Sequence, residues 1–313
     1  MPLQKINGQW IHYEDTGGAG RPVVLAHGIL MDGEMFAPQL PLLSPDCRII
    51  TWDARGHGET ENTDDPFTYW DLADDLAGLL DHLGIRKAVI GGMSQGGFIA
   101  LRFALQHPER VSALILLGTQ AGSEDPDKVA TYRAMLEVWE TDGLNDQLAE
   151  TIAAIILGND WPGRHAWITK WRQRPDSLLR QSFEALAERD DIHDRLGEIK
   201  APALVIHGTA DAAIDIEEAE RLCSELANCQ QLLAIEGAGH AANLTHPEQV
   251  NKAVQQFLRA LAAGAYRGAE RREDSRRSNV ERRFTERRDP IRATAGRRVF
   301  NPTDRRLTER RGF

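Results

Sequence analysis

Ser94 stands in GGMSQGG (91–97), one hydroxyl among Gly91, Gly92, Gly96 and Gly97. Gly92-Met93-Ser94-Gln95-Gly96 fits G-x-S-x-G, the pattern that sets a serine on a sharp strand-to-helix turn. Side chains at the flanking positions would collide in such a turn, so glycines take them. The helix beyond it offers unpaired N–H groups to negative charge. A serine hydroxyl is a weak nucleophile until a base removes its proton. That base is a histidine oriented by a carboxylate. Ten histidines compete. His240, in EGAGHAANLTHP, follows the last apolar run, and Asp211, in HGTADAAI, follows the one before it. The chain order Ser94, Asp211, His240 and the spacing of about one strand–helix unit put all three at strand ends.

The apolar runs supply those strands. PVVLAHG (22–28), CRIITWD (47–53), KAVIGG (87–92), VSALILLG (111–118), APALVIHG (201–208) and QQLLAIEG (230–237) read as buried strands. Asn7-Gly8 predicts a hairpin near the N-terminus. DGEMFAPQLPLL predicts one or two short helices. FTYWDLADDLAGLLDHLG (67–84) predicts a helix closed by Gly84, and GFIALRFALQHP one stopped by Pro108. Strand–helix alternation implies a doubly wound, mostly parallel sheet of the α/β class. The alternation lapses between Ala121 and Leu196. There an N-cap at Asp125 with Pro126, and helices over 143–157, 164–173 and 176–190, predict an all-helical insert. The resulting division is a core of 1–120 and 197–264, a helical lid at 121–196, and a tail at 265–313.

The tail repeats paired arginines and carries few apolar residues, so it is expected to be disordered. From Tyr266 onward it has net charge +8, leaving −18 on the remainder. An acidic body argues against nucleic acid as the main partner. An anionic surface recognised by the tail stays open as an alternative. No apolar run reaches membrane-spanning length, and the start, MPLQKINGQW, lacks the apolar core of a secretory signal. Cys47, Cys223 and Cys229 lack metal or redox spacing, which points to three reduced thiols and a cytoplasmic protein. No metal motif occurs, and no G-x-G-x-x-G opens the first strand–helix unit, so no metal or dinucleotide cofactor is expected.

Four motifs, HGIL (27–30), WDARGHGET (52–60), GMSQGG (92–97) and the pair Asp211 and His240, together resemble the α/β-hydrolase fold family over residues 3–263. The resemblance implies an oxyanion hole from the backbone N–H groups of Ile29 and Gln95. It implies a structural turn at Asp53-Ala54-Arg55-Gly56-His57-Gly58, with Thr60 where a closing serine is usual. A proline is usual near position 215, where this chain has Asp215. Asp215 precedes IEEAERL and reads as a helix N-cap, which leaves the acid role to Asp211. His27 and His57 are expected to brace their loops, and His207 to end a buried strand.

Acyl transfer is the chemistry these groups suit: Ser94 attacks a small ester or lactone, His240 is the base, Asp211 orients it, and no cofactor takes part. A serine argues against the aspartate-nucleophile dehalogenase and epoxide hydrolase branches. A cofactor-free perhydrolase or haloperoxidase-like enzyme, a carbon–carbon bond hydrolase and a ligand receptor are the alternatives. Four of the seven tryptophans, Trp139, Trp161, Trp167 and Trp171, lie in the insert. They are expected either to line a pocket over Ser94 or to pack the insert onto the core. Oligomeric state is not encoded in any of these patterns.

Overall fold

Asn7 and Gly8, both with positive φ, turn Leu3–Ile6 (β1) back along Gln9–Asp15 (β2), as the Asn-Gly pair predicts. The computed structural model describes residues 2–61, 65–173 and 180–266. Arg21–Ala26 (β3), Cys47–Trp52 (β4), Ala88–Met93 (β5), Val111–Leu117 (β6), Ala203–Gly208 (β7) and Cys229–Ile235 (β8) complete an eight-stranded sheet. Its order is β1-β2-β4-β3-β5-β6-β7-β8; β1 and β2 pair antiparallel and β3 to β8 run parallel. β3 lies between β4 and β5, so chain connections leave it in opposite directions. Such a point opens a crevice at the carboxyl ends of the strands.

Both faces of the sheet are covered, and the side-chain alternation shows it. Val24 and Ala26 belong to one apolar cluster, while Val23 and Leu25 belong to the other. The first cluster takes Leu72 and Leu76 from Tyr69–His82 (α2), Phe98 and Leu101 from Gln95–Gln106 (α3), and Leu222 from Ile216–Glu225 (α8). The second takes Leu43 from Leu40–Leu43 (α1) and Val250, Val254 and Phe257 from Pro247–Ala262 (α9). α2 starts at Thr68, whose hydroxyl accepts from Asp71 N–H while the Asp71 carboxylate accepts from Thr68 N–H.

Between β6 and β7 the chain forms Pro126–Asp142 (α4), Asp146–Leu157 (α5), Arg164–Arg172 (α6) and Arg180–Ala187 (α7). Asp125 caps α4 by accepting from Asp127 and Lys128 N–H, with Pro126 in the first turn. The start of the helix expected over 176–190, and the arginine-rich tail from 267 onward, lie outside the described residues. The described residues all fall within one compact unit, Met1–Ala269. Among them no helix is long and apolar enough to cross a membrane.

Two expectations need correction. Cys223, on α8, and Cys229, at the start of β8, form a disulfide, and only Cys47 is free, buried in the core. The α8–β8 connection is short enough to bring their Cα atoms to 5.3 Å, within bridging range. Asp215 occupies the N-cap position of α8 with extended backbone, yet its carboxylate makes no cap hydrogen bond. Its backbone carbonyl accepts from Glu218 N–H instead.

Candidate active site

β5 ends at Met93, and Ser94 turns the chain directly into α3. The turn holds Ser94 at φ 53°, in the left-handed region that a non-glycine residue rarely occupies. The glycines answer to close approach. A Cβ on Gly92 would overlap the Gly96 backbone, one on Gly96 the Ala26 carbonyl, and one on Gly97 the Thr119 side chain. β5, α3 and β3 therefore meet backbone to backbone at the serine. Ser94 N–H donates to Leu117 O on β6 at 2.9 Å, which fixes the turn against the next strand.

Asp211 lies just beyond β7, and His240 in the loop beyond β8. Nδ1 of His240 is 2.7 Å from Oδ2 of Asp211. A carboxylate only accepts, so Nδ1 carries the proton and Nε2 keeps its lone pair. Oδ1 of Asp211 accepts from the N–H groups of Ala213 and Ile214 at 2.8 and 3.0 Å. Burial alone would raise the pKa of Asp211. The charge and hydrogen bonds of His240 and His207 outweigh it and hold the carboxyl well below the usual carboxylate range. His207 is a second partner of Asp211, beyond its expected place at a strand end. It ends β7 as expected, but its Nε2 lies 2.8 Å from Ile214 O and 3.2 Å from Asp211 Oδ2. Its position four residues before Asp211, at the mouth of the same strand, was the signal available.

Ser94 and His240 line one pocket with Gly28, Ile29, Leu30 and Met93. A Cβ on Gly28 would come within 3.6 Å of Ser94 Cβ, so this loop passes directly beside the serine. The Leu30 peptide is held from both sides. Its N–H donates to Nε2 of His57 at 3.2 Å, and its carbonyl accepts from the Trp171 indole at 2.9 Å. His57 in turn donates from Nδ1 to Arg55 O, and His27 from Nδ1 to Gly28 O, while Nε2 of His27 accepts from Ala54 N–H. Both histidines are thus fixed as the Nδ1–H tautomer. They brace the two loops as expected. Gln95 is the first residue of α3, so its N–H has no intrahelical acceptor. Thr60 closes the 53–60 turn by donating to Asp53 O at 2.6 Å.

The remaining pocket wall comes largely from the insert: Tyr132, Met135 and Trp139 of α4, Ile152 and Ile156 of α5, and Phe183 and Leu186 of α7. Of the four tryptophans, Trp139 lines the pocket, and Trp171 reaches the Leu30 loop. Among the described residues no cluster of His, Cys, Asp or Glu could hold a metal ion.

Comparison with known proteins agrees with this architecture. The sequence profile of the alpha/beta hydrolase fold matches residues 21–247. A putative carbamate hydrolase, RutD, of Rhizobium rhizogenes is 29% identical over 261 residues, which are 80% of this chain and 98% of that protein. A thermophilic esterase from Thermogutta terrifontis superposes with a TM-score of 0.77 at 31% identity, covering 83% of this chain and 99% of that one. The enol-lactonase from Burkholderia xenovorans LB400 superposes with a TM-score of 0.75 at 27% identity, covering 82% and 99%. The serine turn on β5, the strand order and the profile match lead to one assignment: the chain belongs to the α/β-hydrolase fold family.

Proposed function

We propose that the protein is a serine hydrolase of small carboxylic esters or lactones, acting through an acyl-enzyme on Ser94. The observation that carries the reading is the 2.7 Å contact of His240 Nδ1 with Asp211, made by a histidine that shares its pocket with Ser94. Nε2 of His240 takes the Ser94 proton as Oγ attacks the carbonyl carbon. The tetrahedral oxyanion rests against the N–H groups of Ile29 and Gln95, each contributing about 3 kcal/mol of transition-state stabilisation. Collapse transfers the proton from His240 to the leaving alkoxide. A water deprotonated by His240 then attacks the acyl carbonyl and releases the acid. The apolar insert excludes bulk water from these steps and acts as the cap over the site. An esterase and an enol-lactonase among the similar structures support carbonyl–oxygen cleavage as the reaction class.

The test is hydrolysis of p-nitrophenyl esters from acetate to octanoate, with Ser94→Ala alongside. The expected result is turnover by the wild type and a loss of at least about a thousandfold in the variant. Equal rates for both would overturn the assignment of Ser94. A folded wild type that is inactive on every ester and on simple lactones would overturn the reaction class.

A further inference from the structure

Away from Ser94 and His240 the pocket wall is largely apolar. Among the described lining residues Glu124 is the one charged side chain, and beyond Ser94 only Tyr132 adds a hydroxyl. Glu124 is not a free charge. Its Oε2 accepts from Nη1 of Arg189 at 2.8 Å, and its Oε1 from Asp125 N–H at 3.2 Å. The Arg189 side chain is fully buried, donates also to Gly122 O and Leu186 O, and lies 4.4 Å from the ring of Phe98. Phe98 lines the pocket and Arg189 does not. The wall therefore shows a carboxylate whose charge is cancelled from outside the pocket.

The Tyr132 phenol is pushed up to about 12, first by burial and then by the nearby Glu124 carboxylate. It stays protonated across the working range, and no hydrogen bond engages its hydroxyl among the described residues. Glu124 and Tyr132 thus line the same cavity, among mostly apolar side chains.

The charge balance selects what can bind there. A substrate carboxylate would meet Glu124 and lose its hydration without a cation to face. A substrate ammonium would leave two buried cations sharing one carboxylate. A hydrocarbon chain would cover both polar groups without replacing their water contacts. A neutral hydroxyl would meet neither cost, since it can both donate to a carboxylate and accept from a phenol.

We propose that Glu124 and Tyr132, with Arg189 holding Glu124 in place, form a subsite for a neutral hydroxyl on the substrate, so that the enzyme acts on esters or lactones of hydroxylated acids. This rests on the serine-hydrolase reading above. The test compares p-nitrophenyl esters of ω-hydroxy acids with the plain, ω-carboxy and ω-amino esters of matched chain length. The readout is the ratio of kcat/KM within each pair, in the wild type, Tyr132→Phe and Glu124→Gln. At the best chain length the hydroxylated ester is expected to exceed the plain one by about tenfold or more, carried mainly by KM. The ratio is expected to approach one in Tyr132→Phe. A wild-type ratio near one at every length, a ratio unchanged in both variants, or a preference for the ω-carboxy ester would each overturn the subsite. If the wild type cleaves no ester at all, the hydrolase reading fails instead. Calorimetry with free ω-hydroxy acids against plain acids then decides the subsite by itself: tighter binding of the hydroxy acids, lost in Tyr132→Phe, upholds it, and equal binding overturns it.

Discussion

Oδ2 of Asp211 is shared by two histidines: Nδ1 of His240 at 2.7 Å and Nε2 of His207 at 3.2 Å. The shared oxygen fixes the carboxylate plane, and with it the direction in which Nε2 of His240 points. Asp211→Asn keeps the shape but can present an amide N–H to Nδ1 and favour the wrong tautomer. It is expected to lower kcat by about a thousandfold or more with little change in KM. His207→Phe removes the second contact together with the hydrogen bond to Ile214 O, leaves the His240 contact in place, and should cost about tenfold in kcat, the equivalent of one hydrogen bond to a charged group. Steady-state kinetics on one good ester checks both. A His207→Phe effect confined to KM would show that His207 does not act through Asp211.

The same oxygen ties stability to pH. Asp211 is held below its ordinary pKa by the charge and hydrogen bonds of His240 and His207 against the opposing effect of burial. The unfolded chain therefore takes up the proton first as pH falls. The stability Asp211 contributes is fully present above about pH 4 and is lost progressively below it. Urea unfolding of wild type and Asp211→Asn at a series of acid pH values should show a shallower decline in the variant. Parallel declines would mean that Asp211 is not depressed in the folded state.

Much of this site was legible because each part sits at the end of an apolar run. The run KAVIGG leads into Ser94, APALVIHG into Asp211, and QQLLAIEG into His240, and parallel strands deliver their carboxyl ends to one edge. The contacts that His57 and Trp171 make with Leu30 were not legible. Each reaches a residue outside its own motif, Trp171 across 141 positions of sequence. No local period carries such a contact. Glu124 is similar: its role depends on Arg189, 65 residues away. Nor did the six-residue spacing of Cys223 and Cys229 reveal that a helix end and a strand start would bring them together.

The Leu30 peptide is the proposed support of the Ile29 N–H, and it is clamped by two groups. Trp171→Phe removes the indole donor to Leu30 O, and His57→Phe removes the acceptor of Leu30 N–H. Either change loosens the loop without touching Ser94 or His240. Each is expected to lower kcat by about tenfold with KM nearly constant, because an oxyanion donor acts in the transition state. A comparable rise in KM at constant kcat would place the loop in substrate binding instead.

The Cys223–Cys229 bridge sits in the segment joining the strand that ends near Asp211 to the strand that ends near His240. It weighs against the expectation of three reduced thiols, since such bridges persist in oxidising surroundings. Thiol titration of the denatured protein should find one reactive cysteine without reductant and all three with it. Closing so short a loop should stabilise the fold by about 2 kcal/mol. Equal chemical stability with and without reductant would show that the bridge adds nothing.

Ser94 itself carries a conformational cost. Its φ of 53° suits glycine, and a β-carbon there is strained. Ser94→Ala retains that β-carbon, whereas Ser94→Gly removes it. Both variants are expected to be inactive, yet the glycine variant should be the more stable of the two by about 1 kcal/mol. The comparison between the two variants cancels the loss of the hydroxyl, which they share. Denaturant unfolding checks it. A glycine variant less stable than the alanine variant would mean that the turn is relaxed, and that the close approach of Gly92 and Gly96 accommodates Ser94 without strain.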